Sequence, residues 1–146
     1  MAVVRHIKRD GNRKCKGYNS SPFPQHSHFL HTENIMPDRA TIQLRKLLAQ
    51  PGCVVAPGVA DAFAARLVKL EGFKAVYMTG FGTSLTRLGM PDVGLLTANE
   101  MIDNASRIAD ASELPLIADA DTGYGNPINT RRTIRDYEKA GVAGVH

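Results

Sequence analysis

The chain has 146 residues, enough for one domain with a real core and short for two. Its 43% hydrophobic and 22% charged residues are ordinary for a globular protein and argue against a fibrous or wholly disordered one. The formal charge of +4 is not a nucleic-acid signature: residues 1–37 hold six Lys/Arg against Asp10 and Glu33, leaving 12 basic and 12 acidic residues for 38–146.

Residues 1–36 offer few apolar anchors to offset ordering entropy and are expected to form a disordered basic tail. Being almost free of acids, the tail is compatible with a mitochondrial presequence, but Gly11–Pro24 shows no clear amphipathic period. The cytoplasm is therefore the favoured location, with the mitochondrial matrix second. His26, His28 and His31 have no carboxylate or cysteine nearby to complete a metal shell, and read as part of a solvated tail. Cys15 and Cys53 make no disulfide framework, which fits a reducing compartment. No apolar run approaches the roughly 18–20 residues of a membrane span, and no apolar segment near Met1 marks a secretory signal.

The folded domain is expected over residues 37–146. Pro37-Asp38 predicts a helix start, with Ile42, Leu44, Leu47 and Leu48 on it and Pro51-Gly52 as its stop. Cys53–Ala56 predicts a first strand ended by Pro57-Gly58. Phe63, Ala64, Leu67 and Leu70 recur at helical spacing up to Gly72. Ala75–Thr79 predicts a second strand, broken by Gly80-Phe81-Gly82 and followed by a long loop through Gly89–Gly94. Thr97 and Glu100 have capping-box spacing and open a helix bearing Met101, Ala105 and Ile108. Pro115–Ala118 predicts a third strand, Asn129 or Thr130 caps a helix ending at Gly141, and Val142–His146 begins a fourth strand. Unalternated apolar strands joined by amphipathic helices mean a parallel α/β sheet covered on both faces. An open doubly wound sheet and part of a barrel both fit this pattern, since a complete (β/α)8 barrel needs about 250 residues.

Sites in both architectures gather at the carboxyl ends of strands, which selects Pro57–Asp61, Thr79–Gly82 and Asp119–Asn126. Asp119 and Asp121 follow an apolar strand two residues apart, a spacing that turns both to one side. Such a pair suits Mg2+, which takes one or two carboxylates with water and substrate oxygens; it serves equally as a loop and cap pair. Gly80 and Gly82 lack the third glycine of a dinucleotide fingerprint, and no Gly-Lys-Ser/Thr occurs. What remains is a turn whose amides and Thr79 hydroxyl suit a carboxylate or phosphonate, or a turn with a purely structural role. Asp121-Thr122-Gly123 also spells the aspartic-protease triplet, but the flanking helices do not fit that all-β fold. A Mg2+-dependent phosphotransfer domain on an open sheet is the third reading of the paired acids.

Four blocks carry a resemblance across 38–146: Ala56–Ala62, Tyr77–Gly80, Leu88–Asp92 and Ala118–Asn126. In order and spacing they resemble the N-terminal half of the isocitrate lyase/phosphoenolpyruvate mutase superfamily. The branch they resemble includes methylisocitrate lyase, dimethylmalate lyase, oxaloacetate hydrolase and phosphonopyruvate enzymes. The resemblance implies the N-terminal half of a (β/α)8 TIM-type barrel of about four parallel strands. It implies a Mg2+ site (Mn2+ as a substitute) at Asp119 and Asp121, with metal-linked or substrate-loop support from Asp92. Tyr77, Thr79, Gly80 and Phe81 match the segment that binds the substrate's carboxylate and keto or hydroxyl oxygens. The implied reaction is cleavage of a C–C bond in a small 2-oxo or 2-hydroxy acid through an enolate, with P–C chemistry as the alternative. The implied partners are that acid and, for a complete protein, further copies of itself, with no nucleic acid and no membrane. Lyase members carry their general acid in a Lys-Cys-Gly-His loop after the fourth strand, a motif these 146 residues lack. The chain is therefore expected to be a truncated and inactive representative, or else a non-catalytic half-barrel assembly module.

Overall fold

The short apolar runs pair edge to edge. In the computed structural model, which describes residues 38–146, β1 (Gly58–Val59), β2 (Val76–Met78), β3 (Leu116–Ala118) and β4 (Gly144–Val145) form one parallel sheet. Its order is β1-β2-β3-β4. A doubly wound sheet reverses direction partway across; here each crossover moves to the next strand in one direction, as in a barrel. The helices are α1 (Ala40–Leu48), α2 (Ala62–Leu70), α3 (Gly80–Leu88), α4 (Ala98–Ser112) and α5 (Pro127–Lys139). The basic tail, its three histidines and Cys15 lie outside the described residues.

Strand geometry sends alternate side chains to opposite faces, and the two faces have different covers. Val76 and Met78 of β2 and Leu116 and Ala118 of β3 are buried in a core with Met101, Ala105 and Ile108 of α4 and Tyr137 of α5. The other face carries the row Gly58, Tyr77, Ile117 and Gly144, paired in register across all four strands. There Leu44 of α1 closes on Gly144, where an added Cβ would stand 3.2 Å from its methyl. Thus α1 sits on the face that a closed barrel turns inward. Among the described residues no helix is long and apolar enough to cross a membrane.

Several boundaries differ from the sequence reading. Helix α1 starts at Ala40 rather than at Asp38; its N-cap position is Arg39, which has no side-chain acceptor, and the Asp38 carboxylate pairs with Lys46. The first strand is Gly58–Val59, not Cys53–Ala56. Its partner β2 begins only at Val76, so residues 53–56 have nothing to pair with, and Pro57 joins the ladder through its carbonyl, which accepts from Tyr77 N–H. Helix α3 occupies a stretch read as a broken turn and loop. Thr79 caps it, its Oγ1 accepting from Gly82 N–H, and Gly89 ends it in the left-handed conformation at φ 65°. Helix α5 is capped by Asn126 rather than Asn129 or Thr130. The Asn126 Oδ1 accepts from Ile128 and Asn129 N–H, and Pro127 takes the first helical position, where its missing N–H costs nothing. The Thr97–Glu100 capping box is as the spacing predicts.

Candidate functional site

The carboxyl ends of β1, β2 and β3 bring the three selected segments together. Pro57 and Gly58 belong to the β1 ladder, so the loop beyond it is Ala60-Asp61, and Asp61 is spent as the cap of α2, accepting from Ala64 N–H at 2.8 Å. The chemistry collects instead around Gly80. A Cβ added there would stand 2.6 Å from Asp119 Oδ2 and 2.8 Å from Asp92 Oδ2, so the two carboxylate oxygens converge on the one position that has no side chain. Only glycine leaves both carboxylates room.

Asp119 is the most constrained of the acids. Its Oδ2 accepts from Gly80 N–H at 3.1 Å and, more weakly, from Tyr77 OH at 3.4 Å; its Oδ1 accepts from Asp121 N–H at 2.9 Å. The carboxylate therefore lies at the N-terminus of α3, where a helix favours negative charge. Strand alternation does not carry through to Asp121, because β3 ends at Ala118. Asp121 is instead turned by its own backbone, held at φ 47°, and Tyr124 follows at φ 59°. Both are left-handed conformations that only glycine adopts without cost, and such strain persists where surrounding contacts impose it.

Electrostatics register the crowding. Partial burial, then the charges of Asp119 and Asp121, push the Asp92 carboxyl above its ordinary range. Burial, followed by the Asp119 charge, its hydrogen bond and Asp92, raises the Tyr77 phenol. Burial pushes the Tyr124 phenol up to about 12. The negative charge that Asp119 and Asp121 place beside Asp92 is charge that a cation relieves.

The donor chemistry fits Mg2+. The groups are hard carboxylate oxygens, and among the described residues no group of three or more His, Cys, Asp or Glu is placed to hold an ion, so the protein side of a seat here is at most a pair of acids. Such a seat leaves coordination positions for water and substrate oxygens, which is the usual habit of Mg2+. Asp119 and Asp121, with Asp92 beside them, are the residues able to hold it.

The substrate-segment residues are placed as follows. Tyr77 points into the site from the inward row, Thr79 spends its hydroxyl on the α3 cap, and Gly80 gives its N–H to Asp119. Phe81 has an exposed ring, and its N–H, in the first turn of α3, meets no partner among the described residues. Sequence reasoning missed His146. It follows β4 directly, its carbonyl accepts from Ala120 N–H, and its ring stands edge-on to Tyr77 with centroids 6.2 Å apart. Its position at the end of a strand was the available signal. Two surface grooves of about 520 and 460 Å³, lined by α5 and by α1 with α5, contain none of these groups. The acids, not the grooves, mark the site.

Residues 44–146 match the family model described as phosphoenolpyruvate phosphomutase. The chain belongs to the isocitrate lyase/phosphoenolpyruvate mutase superfamily. It is 55% identical over 103 residues to 2,3-dimethylmalate lyase of Eubacterium barkeri, a match that covers 70% of this chain and 36% of that enzyme. Oxaloacetate acetylhydrolase, solved with its product oxalate, superposes with a TM-score of 0.71 at 46% identity over 74% of this chain and 38% of that one. Phosphonopyruvate hydrolase, solved with oxalate and Mg2+, gives 0.69 at 29% identity over 73% and 37%. The chain thus spans a little over a third of each relative's length. These relatives include a lyase and hydrolases, so the superfamily is one of enzymes acting on small acids.

Proposed function

We propose that this chain carries the cation- and carboxylate-binding half of a Mg2+-dependent site for a small 2-oxo or 2-hydroxy acid. The reaction of the whole protein is then cleavage of a C–C bond through an enolate. The observation that carries this reading is the convergence of Asp92 and Asp119 on Gly80 at the strand ends, with Asp121 close enough to act on Asp92. The 2,3-dimethylmalate lyase likeness supports the lyase class, and the phosphonopyruvate hydrolase solved with oxalate and Mg2+ supports the cation and the acid.

In this reading Asp119 and Asp121 would hold the ion, with Asp92 beside them in support. Bound Mg2+ supplies positive charge against the oxyanion that develops as the bond breaks. The free N–H of Phe81 receives a substrate carboxylate oxygen at the α3 N-terminus. Tyr77 and His146 form the wall of the site, the phenol of Tyr77 holding its proton because burial and Asp119 disfavour the phenolate. The Lys-Cys-Gly-His motif that supplies the general acid in lyase relatives does not occur in these residues, so this chain alone is expected to bind but not to turn over.

The test is Mn2+ titration of the full 146-residue chain followed by electron paramagnetic resonance, with and without oxalate. Saturable binding that oxalate tightens, and that Asp119→Asn abolishes, is the expected result. A chain that is folded by circular dichroism and takes up no Mn2+ at millimolar concentration overturns the reading.

A further inference from the structure

The loop that bears the two aspartates is held by one face of the following helix. Thr130, Thr133 and Tyr137 recur on α5 at intervals of three and four, which stacks them on a single stripe. All three end in hydroxyls, and all three turn toward residues 119–126. Thr130 Oγ1 donates to Asn126 O at 3.2 Å, and its side chain packs where a Cβ of Gly123 would be. Thr133 Oγ1 donates to Gly123 O at 3.0 Å, with Asn129 O of its own helix as a second, longer acceptor at 3.2 Å. Tyr137 OH donates to Asp119 O at 2.9 Å, and among the described residues no other donor meets that carbonyl. Thr133 and Tyr137 are buried, so neither bond is shared with bulk water.

The loop needs such restraint. Asp121 and Tyr124 are both left-handed without being glycine, and Gly123 and Gly125 flank Tyr124 at φ 87° and 143°. A backbone in this state relaxes unless its neighbours over-determine it. An apolar core would fill the same space with Val and Phe at these positions; the hydroxyls add direction to the packing.

We propose that Thr133 and Tyr137 are positioning residues whose hydroxyls hold the backbone carbonyls of Gly123 and Asp119, and so aim the Asp119 and Asp121 carboxylates into the site. This rests on the reading of those aspartates as the cation seat. The two hydroxyls act at either end of the short segment that contains both acids. Releasing either end lets Asp121 leave the left-handed conformation and lets the Asp121 N–H part from Asp119 Oδ1.

The test compares the full chain with Tyr137→Phe, Thr133→Val and Thr133→Ser, all measured well below their unfolding transitions. Two quantities are read: Mn2+ affinity by electron paramagnetic resonance, and amide hydrogen exchange at Gly80 and Asp121, whose N–H groups both bond the Asp119 carboxylate. Tyr137→Phe and Thr133→Val are expected to weaken Mn2+ by about tenfold, the lower end for loss of a supporting shell around a metal ligand. They should also speed exchange at the two amides relative to α2 and α4. Thr133→Ser, which keeps the hydroxyl, should restore both. Wild-type affinity and wild-type protection in Tyr137→Phe and Thr133→Val overturn the proposal and leave the cation reading standing. If the wild-type chain binds no Mn2+ yet the two variants lose protection at Gly80 and Asp121, the positioning device stands and the cation reading falls.

Discussion

Replacing Gly80 by alanine tests the site at its tightest point. The new methyl meets Asp119 Oδ2 at 2.6 Å and Asp92 Oδ2 at 2.8 Å, so at least one carboxylate has to move. Asp92 is exposed and swings away at little cost. Asp119 is anchored by Gly80 N–H and Asp121 N–H, and shifting it loosens bonds of the charge-assisted kind, each contributing about 1.5–3 kcal/mol when fully made. Against this, alanine gains about 0.5–1 kcal/mol over glycine through reduced chain entropy. With one such bond lost the net is a destabilisation of about 1–2 kcal/mol, seen as a fall in unfolding temperature of roughly 5–10 °C for a domain of this size. Mn2+ affinity should drop by about 10–100-fold, because the ligand is displaced from its supporting bonds. Gly89→Ala is the control: it strains a left-handed residue at φ 65° but meets nothing within 4 Å, so it lowers stability without touching affinity. If Gly80→Ala matches the wild type in both thermal unfolding and Mn2+ titration, the two carboxylates do not converge on Gly80.

Two predictions concern the scaffold under the site. Thr97→Ala removes the reciprocal cap of α4 and is expected to cost about 1 kcal/mol in urea unfolding. Glu100, held below its ordinary range first by the Thr97 backbone N–H, then by its side chain, adds stability above its unfolded-state value that is lost as pH falls through its lower folded value. The gap between wild type and Thr97→Ala should therefore narrow as pH drops through the glutamate range. Asn104 is buried in α4 and donates to Ala60 O at 2.9 Å and to Thr83 Oγ1 at 3.3 Å, while Thr83 Oγ1 donates to Thr79 O at 2.7 Å. Asn104→Leu leaves the Ala60 carbonyl unpaired and should cost about 1–3 kcal/mol by denaturant melts.

The strand count and the segments that meet at the strand ends were legible because the strands read as unbroken apolar runs and the turns as glycine-rich ones. The register was not. Whether Cys53–Ala56 or Gly58–Val59 is the first strand depends on where β2 begins, which is information about a partner 20 residues away. Helix α3 was hidden for a related reason. Gly80 and Gly82 count against a helix by local propensity, yet Gly80 is required by Asp119 and Asp92, and Gly82 by the methyl of Thr79, 2.6 Å from where its Cβ would be. Crowding at the strand end and at the helix cap chose the glycines, and a propensity rule reads them as breakers. Leu85, Leu88 and Gly89 carried the contrary signal of a helix with its terminal glycine. Asn126-Pro127 likewise announced the start of α5 more plainly than the two residues the pattern favoured. The pairing of Asp119 with Asp121 was visible as a spacing; the left-handed turn at Asp121 was not, although aspartate is among the few non-glycine residues that adopt it readily.

The acids of the site differ in what they do for the fold, and that difference is measurable without any cation. Charged active-site groups commonly lower stability, so that removing them stabilises a protein. Asp92 fits this rule: it is largely exposed, the slight desolvation it undergoes and the charges of Asp119 and Asp121 both oppose its ionisation, and no donor among the described residues meets its carboxylate. Asp119 should break the rule. Its carboxylate accepts from Gly80 N–H, Asp121 N–H and Tyr77 OH, and through Gly80 it sits at the first turn of α3. Asp119→Ala orphans those donors and, with two of the bonds to a charged acceptor lost in a half-buried setting, should destabilise by about 2–4 kcal/mol. Asp92→Ala should leave the chain as stable as the wild type or more so. Urea unfolding of both variants in EDTA at neutral pH reads the contrast. A stabilised Asp119→Ala would falsify the view that Asp119 is a structural cap as well as a ligand. A destabilised Asp92→Ala means that Asp92 has a partner and is not held there against like charges.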